Sequence, residues 1–187
     1  MGRPARPVPA AADQGSVRPG ASAGTRPLPG RAVSRTPPRG HTMATVTTWT
    51  GHPVRSTYQS SPGPRRSLPA TDALVIAPAT YNSINKIALG LADNYAMTSV
   101  AELIGRQVPT VIVPFVNAAL AARAPFRHAV ASLRDEGVRL LLGPDDQWEP
   151  HPPGNGNERQ KAFPWTVAFE TAAQLAHESR PAAPGHA

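Results

Sequence analysis

From Asp72 onward, short apolar runs alternate with helical and turn-rich stretches. Ala73-Leu74-Val75-Ile76-Ala77 is a continuous apolar run closed by Pro78, the pattern of a strand buried on both faces. Tyr81 to Leu91 reads as a helix with Ile84, Ile87, Ala88 and Leu91 on one face. Thr98 to Ile104 continues as helix, and Gly105 is its expected stop. Val108 to Pro114 is a second buried strand. Ala118 to Asp135 is helical with a break near Ala124-Pro125, and Gly137 caps it. Val138 to Leu142 is a third strand, Gly143 to Lys161 a polar loop, and Thr166 to His177 a last helix. The order β-α-α-β-α-β-loop-α predicts a doubly wound parallel sheet of the α/β class.

Upstream the pattern dissolves. Residues 1–42 hold eight Pro and almost no large apolar side chains. Burial cannot offset conformational entropy there, so a disordered Pro/Arg-rich tail is expected. Residues 43–71 are transitional, with Gly51 a possible helix cap and Ser60-Ser61-Pro62-Gly63-Pro64 a loop. A domain over 43–177 and a second disordered tail over 178–187 complete the expected organisation.

Charge changes the picture little. The formal charge is +7, but residues 1–40 carry seven Arg against one Asp, a balance of +6. Residues 41–187 carry 12 basic and 11 acidic residues, a balance of +1, so the foldable part is nearly neutral and no nucleic-acid partner is expected. The chain has no Cys, which excludes disulfides, thiolate zinc sites and thiol nucleophiles. No run approaches the roughly 18 apolar residues of a membrane span. A cytoplasmic, membrane-free protein is the expectation.

In such sheets ligands sit at the carboxyl ends of strands. The first strand ends in Ala77-Pro78-Ala79-Thr80-Tyr81-Asn82-Ser83, which offers two hydroxyls, an amide and the free N–H groups of a helix start. A ligand site and a simple helix cap fit this tip equally well. Asn117 ends the second strand at the same edge, where an N-cap explains it by itself. His128 reads as a surface or semi-buried helix residue; His151, in the loop after the third strand, is within reach of a ligand there, although a solvated loop residue is the preferred reading. Asp145 and Asp146, as adjacent acids, point apart and read as a solvated turn, so no metal site is expected. Trp148 and Trp165 either cover a ligand ring or pack.

The stretch Ala77-Pro78-Ala79-Thr80-Tyr81-Asn82-Ser83-Ile84-Asn85-Lys86-Ile87-Ala88-Leu89-Gly90-Leu91-Ala92-Asp93-Asn94 resembles a signature of the homo-oligomeric flavin-containing Cys decarboxylase-like flavoproteins, relatives of phosphopantothenoylcysteine decarboxylase. Pro114-Phe115-Val116-Asn117 resembles that family's P-x-M-N motif at a matching distance downstream. The resemblance implies a flavodoxin-like or Rossmann-like three-layer sandwich binding FMN. It implies FMN contacts from Thr80, Asn82 and Ser83, a loop beside the flavin ring from Asp93 and Asn94, and Asn117 as the best catalytic candidate. It also implies a small-molecule substrate and a trimer-based homo-oligomer.

Departures from the pattern bear on chemistry. Pro64-Arg65-Arg66-Ser67-Leu68-Pro69 carries no His where the decarboxylases have one. Val116 replaces the motif Met, Leu120-Ala121 replaces Met-Trp, and the substrate-loop Cys is absent. These argue against cysteinyl decarboxylation and leave an oxidoreductase or lyase of unassigned substrate. The family's first strand and Gly/Ser-rich phosphate loop have no counterpart in residues 1–42, so the domain is expected to be N-terminally incomplete, with Met43 a candidate internal start. A cofactor-free remnant acting only in assembly is the alternative.

Overall fold

The computed structural model describes residues 71–179 continuously, with Ala44, Thr47, Thr48, Gly51 and Val54 upstream. The expected tail over 1–42, the phosphate-loop question and residues 180–187 lie outside the described residues. Strands β1 (Leu74–Ala79), β2 (Thr110–Pro114) and β3 (Arg139–Leu140) form one parallel sheet in the order β1-β2-β3. Helices α1 (Tyr81–Ala88) and α2 (Tyr95–Gly105) connect β1 to β2, and α3 (Ala118–Ala121) and α4 (Ala124–Asp135) connect β2 to β3. After β3 come the short α5 (Gly156–Lys161) and the long α6 (Trp165–Glu178), which runs one residue into the expected C-terminal tail.

Alternation along β2 assigns the two faces. Ile112 packs with Ile84, Val100, Ile104, Phe126, Val130 and Leu133, so α1, α2 and α4 cover one face. Val111 and Val113 point the other way, onto Ala168 and Ala172 of α6 with Trp148 and Phe163. Ala168, Ala172 and Ala176 recur every four residues, and their small side chains let α6 lie close to the sheet. The result is the three-layer α/β sandwich expected from the order of elements.

Several boundaries differ from the sequence expectation, each for a local reason. Pro78 lies inside β1 rather than ending it, at an exposed position where the register to β2 is interrupted and no ladder N–H is needed. The Ala77–Pro78 peptide is cis. β1 was expected to be buried on both faces, yet Leu74 to Ala77 are only half-buried. Among the described residues β1 pairs with β2 alone, whereas all of β2 is buried between two neighbours. Helix α1 stops at Ala88 because Gly90 adopts φ +67°, and Leu91, expected on its apolar face, is 50% exposed. Helix α2 begins three residues early, at Tyr95, because the Asn94 side chain accepts from Met97 N at 3.1 Å. The break expected near Ala124-Pro125 falls at Ala122-Arg123, with Pro125 tolerated in the first turn of α4.

Candidate functional site

Three chain segments meet at the carboxyl edge of the sheet. β1 hands over to α1 at Thr80, whose Oγ1 accepts from Ser83 N at 3.3 Å and lies 3.1 Å from Ser83 Oγ. Thr80 is thus an N-cap, and its hydroxyl and that of Ser83 form one exposed pair. Asn82, between them in sequence, is exposed and makes no hydrogen bond among the described residues. Its amide offers both a donor and an acceptor to solvent. The partial positive charge of the α1 N-terminus is added at the same point.

The tip of β2 lies directly beside this one. Phe115 N donates to Ala79 O at 2.7 Å, and Ala79 is in register with Pro114. Two residues on, Asn117 Oδ1 accepts from Leu120 N at 2.9 Å and caps α3. That leaves the half-buried Asn117 amide nitrogen as a donor without a partner among the described residues.

The third segment is the loop that carries His151. Asn117 and His151 form a parallel β-bridge. Ala118 N donates to His151 O at 2.8 Å, and His151 N donates to Val116 O at 3.2 Å. His151 is therefore not a solvated loop residue; it is half-buried and held to the β2 tip, its ring centroid 5.1 Å from that of Phe115. No local pattern marks this pairing, because it joins segments far apart in sequence.

An aromatic anchor explains how the loop after β3 reaches the site. Trp148 is 3% exposed, and its Nε1 donates to Pro114 O at 2.7 Å. Its ring packs edge-on against Phe163 at 5.2 Å and stacks with Phe115 at 6.5 Å. The Arg159 guanidinium sits 3.9 Å over the indole. Of the two readings for Trp148, packing is the one observed. Trp165, in contrast, is 47% exposed beside Phe163. Asp146 was expected in a solvated turn, but its carboxylate accepts from Leu142 N at 2.9 Å and pairs with Arg139. It holds the turn that starts this loop. His128 is exposed on α4 and takes no part.

Asp93 and Asn94 follow α1 beyond its C-terminal end; its eight residues at about 1.5 Å each make the helix roughly 12 Å long. Lys86 Nζ donates to Asp93, which holds that carboxyl below the usual aspartate value. Asn94 Nδ2 donates to Asp93 Oδ1 at 2.7 Å. Both residues thus have local structural roles, as does Lys86.

Residues 43–153 match the Flavoprotein family. The chain belongs to that family. Within it, 63 residues are 38% identical to a dihydromethanopterin reductase (acceptor) of Methanosarcina mazei, covering 32% of this chain and 26% of that protein. The match thus spans about a quarter of that curated relative. Among solved structures, the FMN-dependent cysteine decarboxylase SpaF is similar, with 25% identity, TM-score 0.51, and coverage of 72% of this chain and 71% of that one. The FMN-dependent cysteine decarboxylase TvaF of thioviridamide biosynthesis shares 23% identity at TM-score 0.53, covering 73% and 72%. The FMN-binding protein AtHal3 shares 18% at TM-score 0.51, covering 70% and 72%. The last two likenesses concern the fold. Family membership makes this a flavoprotein domain, and a flavin is the cofactor class its site has to accommodate.

Proposed function

We propose that this flavoprotein domain binds FMN at the carboxyl edge of the sheet and acts on a small molecule as an oxidoreductase or lyase. The observation that carries the reading is the clustering of polar groups there. The Asn82 amide, the Thr80–Ser83 hydroxyl pair and the Asn117 amide nitrogen face the ends of two adjacent strands. These donors and acceptors suit the carbonyl and N–H edge of a flavin ring or the hydroxyls of its ribityl chain. FMN in particular is favoured because SpaF, described as FMN-dependent, resembles this chain at 25% identity.

When bound, the flavin supplies the electron-transfer chemistry. The chain's own contribution is orientation. The N-cap bonds fix Thr80 and Asn117, and the short ladder from Val116 to His151 fixes the floor between them. In this reading Asp93 and Asn94 reach a flavin from a neighbouring copy, and we also propose a homo-oligomer. Leu89, 73% exposed, and Leu91 supply apolar surface near those residues. Among the described residues no helix is long and apolar enough to cross a membrane, and a cytoplasmic location is part of the proposal.

The test is the visible absorption spectrum of the purified full chain after incubation with FMN and desalting. Retained flavin, reduced by Asn82→Ala, supports the reading; a folded protein that retains none refutes it. The second reading, a cofactor-free assembly module, is favoured by one observation. Thr80 and Asn117 both use their side-chain oxygens as helix caps, which a ligand-free scaffold needs just as much.

A further inference from the structure

His151 stands at the proposed flavin site with one ring nitrogen fixed and the other open. Its Nδ1 lies 2.9 Å from Pro152 O. A peptide carbonyl can only accept, so Nδ1 carries the hydrogen, and in the neutral ring Nε2 holds a bare lone pair. Nε2 has no partner among the described residues. Gly156 lies beside the ring. A Cβ built there would lie 3.6 Å from Cε1 and 3.9 Å from Nε2. Glycine therefore leaves space at the edge of the ring that any other residue would begin to fill.

The ring's position on the sheet follows from the ladder. Residues paired across a bridge, and residues two apart along a strand, share a face. Asn117 and His151 are paired across a bridge, Phe115 lies two residues before Asn117 just past β2, and the Phe115–His151 ring contact agrees. A donor, the Asn117 amide nitrogen, and an acceptor, His151 Nε2, thus belong to one face at the ligand edge.

We propose that His151 is the proton-accepting group of this site. It would take a proton on Nε2 from an O–H, S–H or N–H group of a small-molecule substrate held beside Asn117. In that step the substrate's X–H bond breaks, an Nε2–H bond forms, and the electron pair stays on X. The positive charge is carried by the imidazolium, whose Nδ1–H remains bonded to Pro152 O. Such a group near a flavin site provides general-base chemistry that Thr80, Asn82, Ser83 and Asn117 do not supply. This inference rests on the proposed flavin site.

Diethyl pyrocarbonate tests it on the full chain, because the reagent acylates only an imidazole nitrogen with a free lone pair. Modified residues are read by peptide mass, with and without bound FMN, and the exposed His128 and His177 serve as internal references. The expected result is modification of His151 in the free protein and, more slowly, with flavin retained, because Nε2 stays open to a substrate beside the flavin, with His128 and His177 unchanged. His151→Gln should still retain flavin. An unreactive His151 in the free protein overturns the proposal, as does a His151 that retained flavin shields completely, since no substrate could then reach Nε2. Loss of flavin retention in His151→Gln would make it a flavin-holding residue and also overturn it. A wild-type chain that retains no FMN removes the functional reading, and the proposal with it.

Discussion

Replacing Trp148 with Phe should destabilise the domain by several kilocalories per mole, although the site gains no charge and loses no apolar character. The indole Nε1 donates to Pro114 O, and both residues are buried. Phenylalanine cannot donate, and an orphaned buried acceptor costs about 1–3 kcal/mol. The guanidinium of Arg159 over the indole adds roughly 0.5–2 kcal/mol, part of which a phenyl ring keeps. The smaller ring also leaves space against Phe115 and Phe163. The combined loss is about 2–4 kcal/mol. Urea unfolding followed by circular dichroism reads it directly. With a slope of about 1–3 kcal/mol per molar, the midpoint should fall by about 1–2 M at unchanged slope. A double-mutant cycle with Arg159→Met separates the terms, because that change removes the cation and also the Arg159 Nε, which is buried without a partner. The reasoning is wrong if Trp148→Phe shifts stability by less than about 1 kcal/mol, within the range expected of an ordinary surface change.

Three further outcomes follow from the same geometry. Asn82→Ala should leave unfolding unchanged, since the side chain is exposed and unbonded, while lowering flavin retention; calorimetry beside the desalting assay separates the two. Thr80→Ala should lower both, the stability by about 1 kcal/mol for the lost N-cap, and a variant with intact stability would contradict the cap. Asp93, held below its ordinary value of 3.8 by Lys86, contributes stability that is present above that pH and lost as pH falls through the lower folded value. Unfolding curves should therefore show no Asp93-dependent change from about pH 5 to 8 and a decline only below about pH 4. Asp93→Asn should flatten that decline, and an unaltered acid limb would show that the pair contributes nothing.

The parallel α/β order was legible because β2 and the helix faces are written in local pattern: Val111, Ile112 and Val113 in a run, and Ile84, Ile87 and Ala88 at helical spacing. The cap residues Thr80 and Asn117 were legible for the same reason, since capping acts within three residues. Their ligand-facing role was not, because a cap and a binding group use the same side chains. Strand ends were less legible. Pro78 looked like a stop, but a residue without an N–H is tolerated where the register is already interrupted. β1 read as fully buried because composition records how apolar a strand is, not how many neighbours it has.

The loop from Gly143 to Lys161 was the larger misreading, and the reason is physical. Its composition is polar and rich in Pro and Gly, which describes its average and not its anchors. One buried indole bonded to Pro114, one carboxylate bonded to Leu142 and one guanidinium stacked on that indole fix its path. The first of these joins residues 34 apart in sequence, which local periodicity cannot see. Together they carry His151, the residue with the most chemistry at this edge, back to Asn117. The consequence is a site whose two halves have separate supports. Helix capping holds Thr80, Ser83 and Asn117, and the aromatic cluster, with the backbone bonds to Val116 and Ala118, holds His151. Loosening the cluster, as in Trp148→Phe, should therefore displace His151 and raise its reactivity while leaving the Asn82 and Thr80 side of the site, and the flavin retention it provides, largely in place.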